Sequence, residues 1–165
     1  MTNDETWYFS YGSNLSKQQM LCRTGSIPTS VTAYLSNHRI AFRQVLNGLD
    51  VYATIIPSEG ATVHGAAYLC SAHAMTQLDR LEGVAENCYR RELVRVATSS
   101  GEDLDCIVYV GESFHDTDEL PSDSYLNLIL TGAESHRLPS DYIDSIARLA
   151  RNGQIPRSAL GRVAD

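Results

Sequence analysis

Lysine is all but missing from this 165-residue sequence: Lys17 is the only one, and the 13 lysines and arginines together face 20 acids. The net charge of −7 excludes a binder of phosphate backbones, which needs a basic face to release counterions. Arg90, Arg91 and Arg95, the nearest approach to a cluster, would fall on both faces of a strand. Long apolar runs are missing too, and none approaches the ~20 residues of a membrane span. Met1-Thr2-Asn3-Asp4-Glu5 is acidic where a secretory leader is basic, so the expected location is cytoplasmic, with no membrane attachment. Cys22, Cys70, Cys88 and Cys106 form no C-x-x-C pair, and the five histidines are as scattered. That spacing supports no metal site and reads as core thiols. The sequence holds no G-x-S-x-G, no G-x-x-x-x-G-K-[ST] and no G-x-G-x-x-G, which removes the nucleophile elbow and both phosphate loops. Cys88 with a distant histidine is the one remaining nucleophile, and nothing beside it in sequence would depress its pKa.

What is present is a globular composition, 43% hydrophobic and 20% charged, sufficient for one core. It predicts a single domain over 1–165, with 152–165 as a surface tail of glycine, proline and few periodic apolar positions. Trp7 to Tyr11 suits a strand, broken at Gly12-Ser13-Asn14, and a short helix follows from Ser16, capped by Asn14 or Ser16. Residues 31–42 and 51–57 read as strands joined at Asn47-Gly48, and Val63 to Cys70 as a further strand. The small residues of that last strand admit a close neighbour, either backbone or ligand. Ser71 caps a helix from Ala72 to Leu81 whose Ala74, Met75, Leu78 and Leu81 keep the helical period, and Gly83 stops it. Tyr89–Thr98 and Leu104–Val110 pair about the turn Ser99-Ser100-Gly101. An acidic loop over 113–121 then leads to helices near 122–132 and 140–151, capped by Ser122 and Ser140, with Gly132 as a stop. This order predicts an α+β fold whose sheet closes into a small barrel.

Two segments have chemical potential. In Tyr11-Gly12-Ser13-Asn14-Leu15 a glycine turn enters a helix, exposing backbone N–H groups and two polar side chains. Such a turn serves chain geometry alone, or it cradles a carboxylate or oxyanion; the residues leave both readings open. In Leu78-Asp79-Arg80-Leu81-Glu82-Gly83-Val84, Glu82 stands at a helix end between apolar neighbours. It is either a solvated surface acid or a desolvated proton carrier with a raised pKa. Asp79 and Glu82, three apart, would share a helix face, which also admits a paired-carboxylate glycosidase.

In order and spacing the two segments together resemble the gamma-glutamylcyclotransferase family, with its Y-G-S-N-L after the first strand and its E-G-V near mid-chain. Tyr89 and the stretch Gly132-Ala133 … Leu138-Pro139-x-x-Tyr142 extend the resemblance from about Trp7 to about Leu149. The resemblance implies a mixed sheet closed into a small β-barrel with flanking helices and a cavity between the two motifs. It implies cyclisation of a γ-glutamyl group to 5-oxoproline with release of the attached amine. It assigns Glu82 as general acid/base, and places Tyr11, Gly12, Ser13, Asn14, Leu15 and Tyr89 in substrate binding. The segment Cys88-Tyr89-Arg90-Arg91 departs from the family pattern on the leaving-group side.

That chemistry suits what the chain lacks. The substrate carries its own nucleophile, its α-amine, so the protein need supply only a proton carrier and donors for negative charge. No metal or cofactor is expected, and the expected partner is a small γ-glutamyl compound, with a homodimer as the assembly to test. Two alternatives keep the fold. One applies the same cyclisation to a γ-glutamyl intermediate of a biosynthetic pathway or to a γ-glutamylamine; the other is a non-catalytic binding module.

Overall fold

The computed structural model describes residues 4–152. Its first strand, β1 (Glu5–Ser10), buries Tyr8, Phe9 and Ser10 in succession, so both faces of its second half are covered. β1 pairs antiparallel with β3 (Val51–Ser71), from Glu5 opposite Ser71 to Ser10 opposite Ala66, and parallel with β5 (Asp103–Gly111) at Tyr8 and Ile107. β5 pairs with β4 (Tyr89–Thr98), β4 with β2 (Ser30–Val45), and β2 with β3, so five strands close into a mixed barrel. A two-residue strand, β6 (Phe114–His115), extends the sheet beside β2 from within the acidic loop. The α+β barrel with flanking helices is therefore as expected.

One strand assignment is corrected. Residues 51–57 and 63–70 are not separate strands but one 21-residue strand, β3. The expected break over residues 58–62 is absorbed by a register shift between the strands: Ser36 lies opposite Thr62 and His38 opposite Pro57, so β3 bulges against Asn37. A bulge tolerates a residue that cannot donate to the ladder. Gly60 and Asn37 both take positive φ there, and the Gly60 N–H donates to Asn37 Oδ1 at 3.1 Å. The small residues of β3 admit backbone: a Cβ on Gly65 would lie 2.1 Å from the Ser10 carbonyl oxygen and 2.9 Å from the Phe9 ring.

Helices close the ends. α1 (Lys17–Thr24) is capped by Ser16, whose Oγ accepts from Gln19 N–H, and stops at Gly25 with φ 84°. Ser16, not Asn14, is thus the cap. α2 (Ala72–Leu81) follows β3 directly, capped by Ser71, and buries Ala74, Met75 and Leu78. α3 (Asp123–Ser135) is capped by Ser122, and α4 (Ser140–Asn152) begins at Ser140 itself, so that serine is a helical residue rather than a cap. Asn152 completes α4, while the remainder of the expected tail lies outside the described residues.

Gly132 does not stop α3; it lies inside the helix. A Cβ there would sit 2.4 Å from the Leu15 carbonyl carbon and 2.5 Å from the Ser16 nitrogen, so glycine lets α3 press against the turn after β1. Alanine normally favours a helix interior by about 1 kcal/mol over glycine. Here the clash is with backbone, and Gly132→Ala should instead destabilise by about 1–3 kcal/mol, the usual scale of overpacking. Urea denaturation measures it, and an unchanged or higher midpoint would refute the close approach.

Candidate active site

A cavity of about 610 Å³ opens between the turn after β1, the end of α2, the start of β3 and the start of α3. Its walls are unusually phenolic: Tyr8, Tyr11, Tyr52, Tyr89, Tyr109 and Tyr125 all line it, out of nine tyrosines in the chain. Burial pushes each of these hydroxyls above the ordinary phenol range, so they remain neutral hydrogen-bonding groups. Tyr11 donates to the Tyr109 carbonyl at 2.5 Å and Tyr89 to the Ala53 carbonyl at 2.7 Å. The Tyr125 hydroxyl accepts from the Ala53 N–H at 2.9 Å. These bonds tie opposite walls together and fix the shape of the cavity.

Glu82 enters this space from the C-cap of α2. The helix ends there because Gly83 adopts φ 64°, and a Cβ on Gly83 would meet Cys88 Cβ at 2.9 Å. The Glu82 side chain is 16% exposed. Its Oε1 accepts from Asn14 Nδ2 at 3.3 Å and faces Arg23 Nη1 at 3.4 Å. Asn14 Nδ2 also donates to the Tyr8 hydroxyl at 3.0 Å, while Asn14 Oδ1 accepts from Gln19 Nε2 at 3.0 Å and Arg23 Nη1 at 3.2 Å. Gln19 Nε2 reaches Ser13 Oγ at 2.7 Å as well. The carboxyl is therefore held by an amide whose own orientation is fixed from α1. Burial raises the Glu82 pKa above the ordinary carboxylate value, against the opposing pull of Arg23 and the Asn14 amide.

The structure brings Tyr11, Gly12, Ser13, Asn14, Glu82 and Tyr89 to one cavity. Leu15 does not belong with them: its side chain is 1% exposed in the core, and its N–H closes a 3₁₀ turn onto the Gly12 carbonyl at 3.0 Å. The carbonyls of Asn14 and Leu15 are instead held from below by the buried Tyr68 hydroxyl, at 2.9 and 3.3 Å. Glycine at position 12 is not forced by crowding, since a Cβ there meets Tyr125 and Ala53 only at ordinary contact distances; its smallness preserves room in the cavity.

Asp79 turns away from Glu82. Arg91 grips it through two bonds of 2.7 and 2.8 Å, and Tyr109 donates to it at 2.7 Å. The two acids make no facing pair, which removes the support for a glycosidase. Cys88 lines the cavity with its thiol pushed up by burial and by Glu82, the wrong direction for a nucleophile. Cys70 and Cys106 are core thiols raised to about 12, whereas Cys22 is exposed, contrary to the expectation of four core cysteines.

Arg23, Gln19 and the tyrosines other than Tyr11 and Tyr89 are site residues that sequence reasoning passed over. Gln19 and Arg23 carried a usable signal, being four apart on one face of a helix that starts two residues after Leu15. Nothing in the local sequence connects Tyr109 or Tyr125 to the turn at Gly12.

The AIG2-like family model matches residues 62–146. The gamma-glutamylcyclotransferase of Homo sapiens is 29% identical over 152 residues, spanning 88% of this chain and 79% of its own. That of Mus musculus is 26% identical over 163 residues, spanning 96% and 83%. A solved structure named gamma-glutamyl cyclotransferase superposes with a TM-score of 0.80 at 26% identity, covering 98% of this chain and 95% of its own. A family model covering more than half of the sequence, with relatives of one name and a shared barrel, establishes that the chain belongs to the AIG2-like family and groups there with the gamma-glutamylcyclotransferases.

Proposed function

We propose that the chain cyclises a γ-glutamyl group to 5-oxoproline and releases the attached amine, with Glu82 as general acid/base. The observation that carries this reading is the largely buried Glu82 carboxyl at the cavity wall, bonded to Asn14 of the turn after β1. The substrate α-ammonium gives a proton to Glu82. The freed amine attacks the γ-carbonyl carbon, a new C–N bond closes the five-membered ring, and the tetrahedral oxygen takes the negative charge. Glu82 returns that proton to the departing nitrogen as the original C–N bond breaks. The regenerated carboxylate then takes the second proton from the ring nitrogen and passes it to the released amine, which leaves as R–NH₃⁺. Every atom of the substrate appears in 5-oxoproline or the amine, and no water is consumed. Holding the chain folded back on itself exploits effective molarities of roughly 10⁵–10⁸ M for well-oriented intramolecular attack.

Negative charge falls to the turn. The N–H groups of Gly12, Ser13 and Asn14 precede the two used to close it, and Ser13 Oγ, already accepting from Gln19, keeps its own proton for the cavity. These groups and Arg23 serve the α-carboxylate and the tetrahedral oxygen. The tyrosine walls bound the ring as it closes. Incubating the protein with a γ-glutamyl dipeptide in ¹⁸O-water tests the reading: 5-oxoproline without label is the expected product. Free glutamate carrying solvent oxygen would mean amide hydrolysis.

A further inference from the structure

Among the described residues, the cavity has few charges and only one of them is positive. Lining residues that stay exposed mark its mouth: three leucines, Leu49 at 88% exposed, Leu81 at 46% and Leu120 at 45%, with Ser122, Ser124 and one acid. Asp50, next to Leu49 on the loop between β2 and β3, is the exposed charge beside them. The charged lining residues are Arg23, Asp50 and Glu82, so among the described residues Arg23 is the one cation of the wall. Arg23 lies against Glu82 and Asn14, where its guanidinium is already engaged.

A γ-glutamyl amino acid brings two carboxylates. In the cyclisation its α-carboxylate takes Arg23 and the N–H groups of the turn, because the α-amine beside it must reach Glu82. The leaving amine then extends toward the mouth. A carboxylate carried there would face Asp50, three leucines and two serine hydroxyls, losing water with no cation to compensate it. An apolar substituent would instead cover the leucines and gain by their burial.

Resting on the cyclisation proposed above, we infer that the site selects γ-glutamyl compounds whose leaving amine is apolar and carries no carboxylate. The bonds exchanged are unchanged: the ring C–N bond forms, the amide C–N bond breaks, and the amine leaves with the two protons that Glu82 carries over from the α-nitrogen.

Three substrates isolate the carboxylate. γ-L-Glutamyl-isobutylamide is γ-L-glutamyl-L-valine without it, and γ-L-glutamyl-L-valinamide neutralises it at nearly equal size. The expected kcat/KM for the isobutylamide and the valinamide is about tenfold or more above that for the valine compound. Asp50→Asn should narrow the gap by raising the valine figure, and Leu120→Lys, which adds a cation at the same mouth, should do so as well. A valine compound turned over as well as the isobutylamide would overturn the inference, and a gap untouched by both variants would overturn its assignment to this mouth. If none of the three yielded 5-oxoproline, the cyclisation itself would fail, an outcome distinct from a reversed preference.

Discussion

Glu82→Gln should leave the barrel folded and lower kcat by about 10²-fold or more, the usual scale for removing a general acid/base. Glutamine keeps the length of the side chain and an oxygen for the Asn14 amide, so cavity shape and ligand affinity should change little. What disappears is the group that takes a proton from the ammonium and returns it to the leaving nitrogen. The wild-type pH profile should carry the same signature. Burial raises the Glu82 pKa, so Glu82 is a carboxylate above that raised value and loses its capacity as a base as pH falls through it. kcat/KM should therefore decline on the acid side at a pH above the ordinary carboxylate range of ~4.3. Because Arg23 pulls in the opposite direction, Arg23→Met should move this limb to higher pH. Glu82→Gln should remove it. Near-wild-type kcat in Glu82→Gln, measured by 5-oxoproline release, would end the assignment.

Acetylating the substrate α-amine should abolish turnover while leaving the γ-amide intact. The acetyl group ties up the nitrogen lone pair, and no side chain in the cavity replaces it as nucleophile. Cys88 is the one thiol in the lining, and its pKa is shifted upward by burial and by Glu82. Ser13 accepts from Gln19, which is an amide and no base. Cleavage of the N-acetyl analogue at a rate comparable to the parent would require a nucleophile from the protein or from water, and cyclisation would be wrong. This result is independent of the Glu82 variant, because it alters the substrate and leaves the protein untouched.

The elements that sequence reading located best are those set by strong local signals. Ser71 and Gly83 bracket α2, and the observed helix has the predicted bounds of Ala72 and Leu81. Tyr89–Thr98 was equally legible. The errors occurred where a local signal was overruled by a partner distant in sequence. Pro57 and Gly60 look like a strand end, but the bulge of β3 against Asn37 accommodates them and β3 runs through. Gly132 looks like a helix stop, yet it is there because Leu15 and Ser16 approach within a Cβ's reach. Leu15 stands inside a polar motif but faces the core, a direction set by the 3₁₀ turn rather than by the motif.

In the site the same division holds. Glu82 and Asn14 stood out because each sits at a helix or turn boundary. Arg23 was four residues past Gln19 on the same face and was legible in principle. Tyr109 reaches the cavity through barrel closure and Tyr125 through the docking of α3, and no short-range pattern announces either.

The parallel contact of β1 with β5 and the direct step from β3 into α2 have a consequence for how such a molecule changes over time. Asn14, Arg23 and Glu82 all hang from the β1–β3 side of the barrel, within segments that follow those two strands immediately. Of the residues at the mouth, Leu81 shares α2 with Glu82, whereas Leu49, Asp50 and Leu120 belong to other connections, the β2–β3 loop and the approach to α3. The proposed proton transfer and most of the proposed contacts with the amine, Leu81 excepted, thus fall on separable lengths of chain. Loops of new length or charge can be grafted at the mouth while the carboxyl and its amide keep their places, so a single catalytic apparatus can be inherited by proteins that discharge quite different amines.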